Sequence, residues 1–373
     1  MNLVFYSPDK FGYYTVGDYK TYSKLEAIEL QKSTGHFPEW NFNREVLDTV
    51  SWTKEPTIDL WELYKARARQ IRNSFDYVVL FYSGGSDSYN MIDAWIAADC
   101  KIDEIATWCN DSASQSKEDL MNSEVYFVAL SEVEQFKKRA DFKFRLIDLS
   151  EYTKNVLEAE DLVYQYSSVF SPHRMAANRL RKFVKDYADL IAAGKKICFV
   201  WGKDKPQLFY DGANHYVQFF DINDDCVGTI AQEKYHQGWY DELFYWTPDL
   251  PEITVKQSHI VKRFLTTCHD LSFYQDSATP FGYNPTINKY LDSKTFKKLI
   301  YPNWNINTFS SGKTPNKIFS VRDQWLWNSN LDYKNKTVSQ ILKFLDSVGD
   351  YWLNDPADKF KGVKRHASPR YYI

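Results

Sequence analysis

The chain has 373 residues, 44% hydrophobic and 25% charged, with 46 basic and 49 acidic residues that give a formal net charge of −3. It is long enough to bury one large core or two modest ones, and its charge argues against a wholly basic nucleic-acid-binding body. The five cysteines include no CxxC pair, which indicates that there is no disulfide framework. The sequence has no apolar run long enough to cross a bilayer and no signal-peptide pattern, so we expect a cytoplasmic protein with no membrane partner.

The predicted elements fall into three regions. Residues 1–72 form an N-terminal α+β extension that ends in an amphipathic helix. Residues 73–206 alternate strands with helices, and the four strands are the apolar runs YVVLFY, EIATWCN, KFRLIDLS and KICFVWG. Strands that are apolar on both faces predict an α/β fold, a parallel sheet with helices on both faces. The alternation then ends, so residues 207–373 are predicted to be a helical, loop-rich substrate or lid region.

The sequence SGGSDS lies between the first of these strands and the next helix. Glycines let an anion approach the main chain, and the N–H groups at a helix start favour negative charge. A carboxylate among such donors suits a hard cation that bridges it to phosphate oxygens, whereas the simpler alternative is a turn with capping serines. The sequence predicts a phosphate and metal site whose residues are Ser83, Gly84, Gly85, Ser86, Asp87 and Ser88.

SGGSDS resembles the PP-loop, SGGxDS, of the N-type ATP pyrophosphatases, which include asparagine synthetases, NAD synthetases, tRNA-modifying enzymes and adenylylsulfate reductases. The resemblance covers about residues 75–206 and implies a Rossmann-like sheet of the HUP type with ATP and Mg²⁺ as its ligands. It also implies that ATP is split into AMP and pyrophosphate as a substrate is adenylated. Asp87 would then act in catalysis and bind the metal.

A second segment, GKDKP, ends the fourth predicted strand. Ligands in open α/β sheets bind beyond the carboxyl ends of the strands, so this turn is expected to face the same crevice as the loop. It is similar to the second ATP-facing motif of asparagine synthetase-like adenylating domains, although that group continues with Asp-Glu instead of Lys-Pro. The resemblance implies that Gly202 binds the nucleotide, Asp204 binds the metal, and Lys203 or Lys205 acts in catalysis. A solvated charged turn is the alternative.

A third candidate is Arg174, in the helical segment SPHRMAANRLRKF. It shares a helix face with Asn178, four residues further on, and lies near the open edge of the predicted sheet. There it would contact a phosphate or a substrate carboxylate. The alternative is an ordinary basic solvent-facing helix.

Several residues narrow the choice of family member. Asn2 stands where glutamine-using asparagine synthetases have a cysteine, and no glutaminase-sized segment precedes the loop, so we expect no attached glutaminase. The last cysteine, Cys268, is far from the C-terminal position used by adenylylsulfate reductases. Thiolating members use a cysteine pair, which Cys109 and Cys198 would form only if they met, although strand cysteines are usually buried.

We therefore expect an ATP-dependent adenylating ligase or synthetase that activates a carboxylate or carbonyl oxygen for attack by an amine. The alternative within the superfamily is a tRNA-modifying or sulfur-transfer enzyme, and the alternative of another class is a non-catalytic nucleotide-binding interaction protein. The acceptor is a small molecule or a tRNA. The sequence names neither this acceptor nor the oligomeric state.

Overall fold

The elements are taken from a computed structural model that describes residues 3–4, 7–109, 125–150, 181–202, 207–221, 238–267, 299–303, 331–359 and 362–373. Its strands are β1 (Tyr13–Val16), β2 (Tyr19–Thr21), β3 (Pro38–Asn41), β4 (Tyr77–Phe81), β5 (Glu104–Cys109), β6 (Lys143–Asp148), β7 (Ile197–Trp201), β8 (Gln207–Tyr210), β9 (His215–Gln218), β10 (Trp239–Leu243) and β11 (Tyr371–Tyr372). Its helices are α1 (Lys24–Thr34), α2 (Arg44–Leu47), α3 (Leu60–Ser74), α4 (Ser86–Ala97), α5 (Leu130–Lys137), α6 (Ala188–Ala192), α7 (Glu252–Thr267) and α8 (Leu331–Val348).

A five-stranded parallel sheet forms the centre of the fold, in the order β10-β7-β4-β5-β6. The chain runs outward from β4 through β5 to β6, and then returns to β7 and β10 on the other side of β4. The strand order therefore reverses between β4 and β7, which makes the carboxyl ends of these two strands a topological switch point. The expected α/β fold with a helix-flanked parallel sheet is confirmed, and its strand order is Rossmann-like.

The apolar pattern predicted four strands, and the fifth, β10, lies beyond residue 206. β10 escaped prediction because acidic residues interrupt its apolar run. Both Asp241 and Glu242 are buried, at 3% and 2% exposure. Asp241 accepts a hydrogen bond from Trp201 Nε1 at 2.6 Å, and Glu242 pairs with Arg67 at 2.6 Å. Buried carboxylates are tolerated only with such partners, and these partners lie elsewhere in the sequence.

The loop between β4 and α4 is flanked on both sides by fully buried apolar side chains. Val78, Val79 and Leu80 of β4 are fully buried, as are Met91 and Trp95 of α4. The strand is apolar on both faces because it is the middle strand of a covered parallel sheet. Helix α3 packs against α4. The loop therefore joins two elements that have little freedom to move apart.

Two small antiparallel sheets lie outside the parallel one, in the orders β2-β1-β3 and β11-β9-β8. The second joins the last residues of the chain to residues 207–218 through the pairing of Tyr371 with Val217. Within the described part of the chain, no helix combines the length and the apolar character needed to cross a membrane.

A pH dependence of stability is expected from His215 in β9, whose side chain is 5% exposed. Burial, together with the charge of Lys262, lowers the pKa of His215 to about 4. The folded state therefore keeps the ring neutral while the unfolded state takes up a proton near pH 6.5. This contribution to stability is present above about pH 6.5 and is lost as the pH falls toward 4.

We expect the unfolding temperature to fall by several degrees between pH 7 and pH 4.5 and to fall less steeply in His215→Gln. The exposed His36 provides the control, since His36→Gln should leave the slope of the wild type unchanged. Differential scanning calorimetry over this pH range measures both slopes. Equal slopes for His215→Gln and the wild type would contradict the expectation.

Candidate functional site

The SGGSDS loop occupies the switch point, directly after β4 and at the start of α4. Gly84 has φ +83°, in the left-handed region that favours glycine. Gly85 caps the helix without a side-chain hydrogen bond, and the first helical bond runs from Tyr89 N to Gly85 O at 3.0 Å. The N–H groups of residues 86–88 therefore precede the helical ladder and point out of its end. This is an anion-binding arrangement.

Two serines hold the loop in shape. Ser83 N donates to Ser88 Oγ at 3.2 Å, and Ser88 Oγ donates to Gly85 O at 3.1 Å. Gly85 N in turn donates to Ser83 Oγ at 3.3 Å. These bonds close the loop on itself. Ser88 is buried and Ser83 is exposed, so Ser83 is the one whose side chain lies at the surface.

Ser86 differs from the other two serines. Its side chain is 2% exposed, and Oγ has no hydrogen-bond partner among the residues that the structure describes. A buried hydroxyl without a partner costs about 1–3 kcal/mol, so such groups usually indicate a role. The hydroxyl belongs to the first residue of α4, beside the outward N–H groups. A phosphate oxygen placed at this helix start would accept hydrogen bonds from both kinds of donor.

The GKDKP segment begins against the same helix start. A Cβ on Gly202 would lie 2.8 Å from Ser88 Cα and 3.0 Å from Asp87 O, closer than side-chain carbons approach a backbone. The structure thus brings Gly202 and the loop together, as expected from adjacent strand ends. Four other residues that were predicted to form the site lie outside the described residues, namely Arg174, Lys203, Asp204 and Lys205.

Asp87 is the loop carboxylate, and two buried tyrosines hold it from the side of the core. Tyr301 OH donates to Asp87 Oδ1 at 2.7 Å, and Tyr245 OH donates to Asp87 O at 2.7 Å. Burial raises the pKa of both phenols well above the usual range, and the charge of Asp87 adds to the effect, so both are neutral donors. Asn90 completes the set by donating to Tyr245 OH at 2.9 Å.

The Asp87 carboxylate could be one of the ligands of a magnesium ion but not the whole site. Mg²⁺ usually takes one or two carboxylates together with substrate phosphates, and Asp87 is half-buried in the first turn of α4. Over the described ranges, no group of three or more histidine, cysteine or acidic residues could hold a metal alone. A cation beside Asp87 would therefore need oxygen ligands from outside these residues, such as those of a phosphate.

An aromatic cluster lines the same end of the sheet and was not predicted. Phe81 ends β4 and Trp201 ends β7, and their rings stack in parallel with centroids 4.1 Å apart. Trp108, near the end of β5, lies 5.3 Å from each of them. Trp108 is half-buried and the other two are buried. The signal in the sequence was an aromatic residue at or near the end of three of the four predicted apolar strands, YVVLFY, EIATWCN and KICFVWG.

The cysteines that a sulfur-transfer enzyme would need do not meet. Cys109 and Cys198 are both buried. Cys198 pairs with Val78 in register, whereas Val79 pairs with Glu104, so six residues along the strand separate the levels of the two cysteines, a distance of about 20 Å. Burial also raises the pKa of the Cys198 thiol well above its usual value, which disfavours the reactive thiolate.

No protein-family model matches the chain, and no curated protein matches it in sequence. The class of protein is therefore defined by the fold and the loop alone. It is an α/β protein with a Rossmann-like parallel sheet and a Gly-Gly loop at the switch point of that sheet.

Proposed function

We propose that the protein is a PP-loop enzyme with a HUP-type sheet, an ATP-dependent adenylating ligase or synthetase that forms AMP and pyrophosphate. The observation that carries the proposal is the place of SGGSDS at the switch point. There the outward N–H groups of α4 adjoin the buried hydroxyl of Ser86, which has no hydrogen-bond partner among the residues that the structure describes. Both kinds of donor suit a polyphosphate. The carboxylate of Asp87 in the same turn suits its counter-ion.

In this proposal, the loop holds the β and γ phosphates of ATP as one unit through the N–H groups of residues 86–88 and the Ser86 hydroxyl. The α-phosphorus is then left open to in-line attack by a carboxylate or carbonyl oxygen of the substrate. Mg²⁺, when bound, neutralises phosphate charge beside Asp87 and Asp204. Lys203 or Lys205 stabilises the charge that builds on the leaving pyrophosphate, and Arg174 binds a phosphate or the substrate.

Catalysis of this kind depends mainly on positioning and electrostatics, which a rigid loop supplies. The adenylated substrate would react with an amine that displaces AMP. The sulfur-transfer alternative has less support, because Cys109 and Cys198 are buried and separated along the sheet. The acceptor remains either a small molecule or a tRNA, and the protein is proposed to act in the cytoplasm.

The proposal is tested by calorimetric titration of ATP with Mg²⁺ and by chromatography of the spent nucleotide. Asp87→Ala is expected to weaken binding by about tenfold, which corresponds to about 1.4 kcal/mol, since a cation ligand is lost. Asp189→Ala, an exposed acidic residue on α6, serves as the control and should bind like the wild type. Metabolite and tRNA fractions added in turn identify the acceptor by the release of pyrophosphate.

The expected nucleotide products are AMP and pyrophosphate. ADP as the sole product would exclude the adenylation mechanism. Tight binding of NADH without any response to ATP would exclude the ligand itself.

A further inference from the structure

A short segment from the C-terminal half of the chain, Leu299–Asn303, lies along the helix that begins in the loop. Tyr64 OH of α3 donates to Ile300 O at 2.8 Å. Asn303 Nδ2 donates to Asp93 Oδ2 of α4 at 2.7 Å. Between these two anchors, Ile300 and Tyr301 are buried at 1% and 0% exposure. The segment is thus fixed at both ends against the helices that carry the site.

Tyr301 is the residue of this segment that contacts the candidate site. Its hydroxyl donates to Asp87 Oδ1 from a fully buried ring, and 214 positions separate the two residues. Asp87 itself is half-buried, so its carboxylate lies at the boundary between the tyrosine cluster and the surface. A neutral phenol can only donate to a carboxylate, and a fixed donor on one oxygen restricts how the whole group rotates.

The hydroxyl of Tyr301 differs from those of the two neighbouring tyrosines in the kind of group to which it donates. The rings of Tyr64, Tyr245 and Tyr301 lie with centroids 5.5 to 6.5 Å apart, and all three hydroxyls are hydrogen-bonded. Tyr64 and Tyr245 donate to main-chain oxygens, which stabilises the fold. Tyr301 alone among the three donates to a side chain, and that side chain is the loop carboxylate.

We infer that Tyr301 is a positioning residue for Asp87, supplied by the C-terminal half of the chain to orient the cation-binding carboxylate. The inference rests on the proposed function, because it gives the hydrogen bond a purpose only if Asp87 binds a cation. Partners that orient a metal-binding side chain matter almost as much as the ligand itself, and their loss typically weakens metal binding about 10–100-fold. The segment would thereby link the C-terminal half of the chain to cation binding at the loop.

The test compares Tyr301→Phe with Tyr371→Phe in the full-length protein. Each variant removes one hydroxyl from a buried tyrosine that donates to a carboxylate, Asp87 Oδ1 in one case and Asp48 Oδ1 in the other. Calorimetry measures ATP binding at increasing Mg²⁺ concentration and in EDTA. Circular dichroism and thermal melts show that each variant is folded.

Tyr301→Phe is expected to raise the Mg²⁺ concentration at half-maximal binding about tenfold, while ATP affinity in EDTA changes less than about twofold. Tyr371→Phe should leave the Mg²⁺ dependence unchanged, because its hydroxyl donates to Asp48. In an Asp87→Ala background, Tyr301→Phe should have no further effect, because the tyrosine acts through that carboxylate.

An equal shift in both tyrosine variants, or in neither, would overturn the inference and leave the proposed function standing. If the wild type bound ATP equally well with Mg²⁺ and with EDTA, the metal role of Asp87 would fail and the inference with it. If the wild type bound no ATP, the proposed function itself would fail.

Discussion

Replacing Arg67 by methionine is expected to lower the free energy of unfolding by about 3–5 kcal/mol, the cost of removing one partner from a buried ion pair. The Arg67 side chain is 0% exposed and bonds to Glu242 at 2.6 Å and to Asp249 at 3.3 Å. Lys10 contacts the same two carboxylates at 2.6 and 2.5 Å. Two cations therefore balance two anions inside the protein, and the variant leaves one negative charge uncompensated.

The charge imbalance also predicts how the variant responds to acid. Burial already raises the pKa of Glu242, against the opposing charges of Lys10 and Arg67. Without Arg67 the pKa of this carboxyl should rise further. A carboxyl whose folded pKa lies above its unfolded pKa destabilises the fold when ionised, so the deficit of the variant relative to the wild type should shrink between pH 7 and pH 5.

Denaturant unfolding at the two pH values measures both effects. Arg263→Met is the matched control, because Arg263 also pairs with a carboxylate, Glu55 at 2.7 Å, but its side chain is 60% exposed. Exposed ion pairs contribute about 1 kcal/mol or less. Similar losses in the two variants would show that the buried network does not differ from a surface pair.

The parts of the fold that could be predicted depend on residues close together in the sequence. β4, the Gly-Gly loop and α4 follow one another within residues 77–97, so apolar runs and the loop pattern indicated them directly. The contact between Gly202 and the loop could also be predicted, because parallel strands bring their carboxyl ends to the same edge of a sheet.

The parts that could not be predicted depend on distant partners. The burial of two carboxylates in β10 is explained by their partners Trp201 and Arg67, which lie elsewhere in the sequence. Tyr301 lies in a region without recognisable motifs, and nothing in its neighbourhood pointed to Asp87. A hydrogen bond across 214 positions leaves no periodic pattern, so local propensity carries no information about it.

Replacing Gly202 by alanine is expected to disrupt nucleotide binding. The new Cβ would lie 2.8 Å from Ser88 Cα and 3.0 Å from Ser88 N, so the end of β7 and the start of α4 must move apart. Both atoms belong to the backbone, which cannot rotate away as a side chain can. Overpacking of this kind typically costs about 1–3 kcal/mol.

The displaced atoms are the ones that the proposed function uses. The shift would move the N–H groups of residues 86–88 away from the phosphates, so Mg²⁺-ATP affinity should fall about tenfold or more. Gly194→Ala is the control: Gly194 has φ +76° with no atom within 4 Å of an added Cβ, so its replacement strains the backbone by about 1–2 kcal/mol away from the loop. Calorimetry should therefore find Gly194→Ala destabilised but normal in ATP binding, and Gly202→Ala impaired in both. Normal ATP binding by Gly202→Ala would mean that the start of α4 does not hold the phosphates.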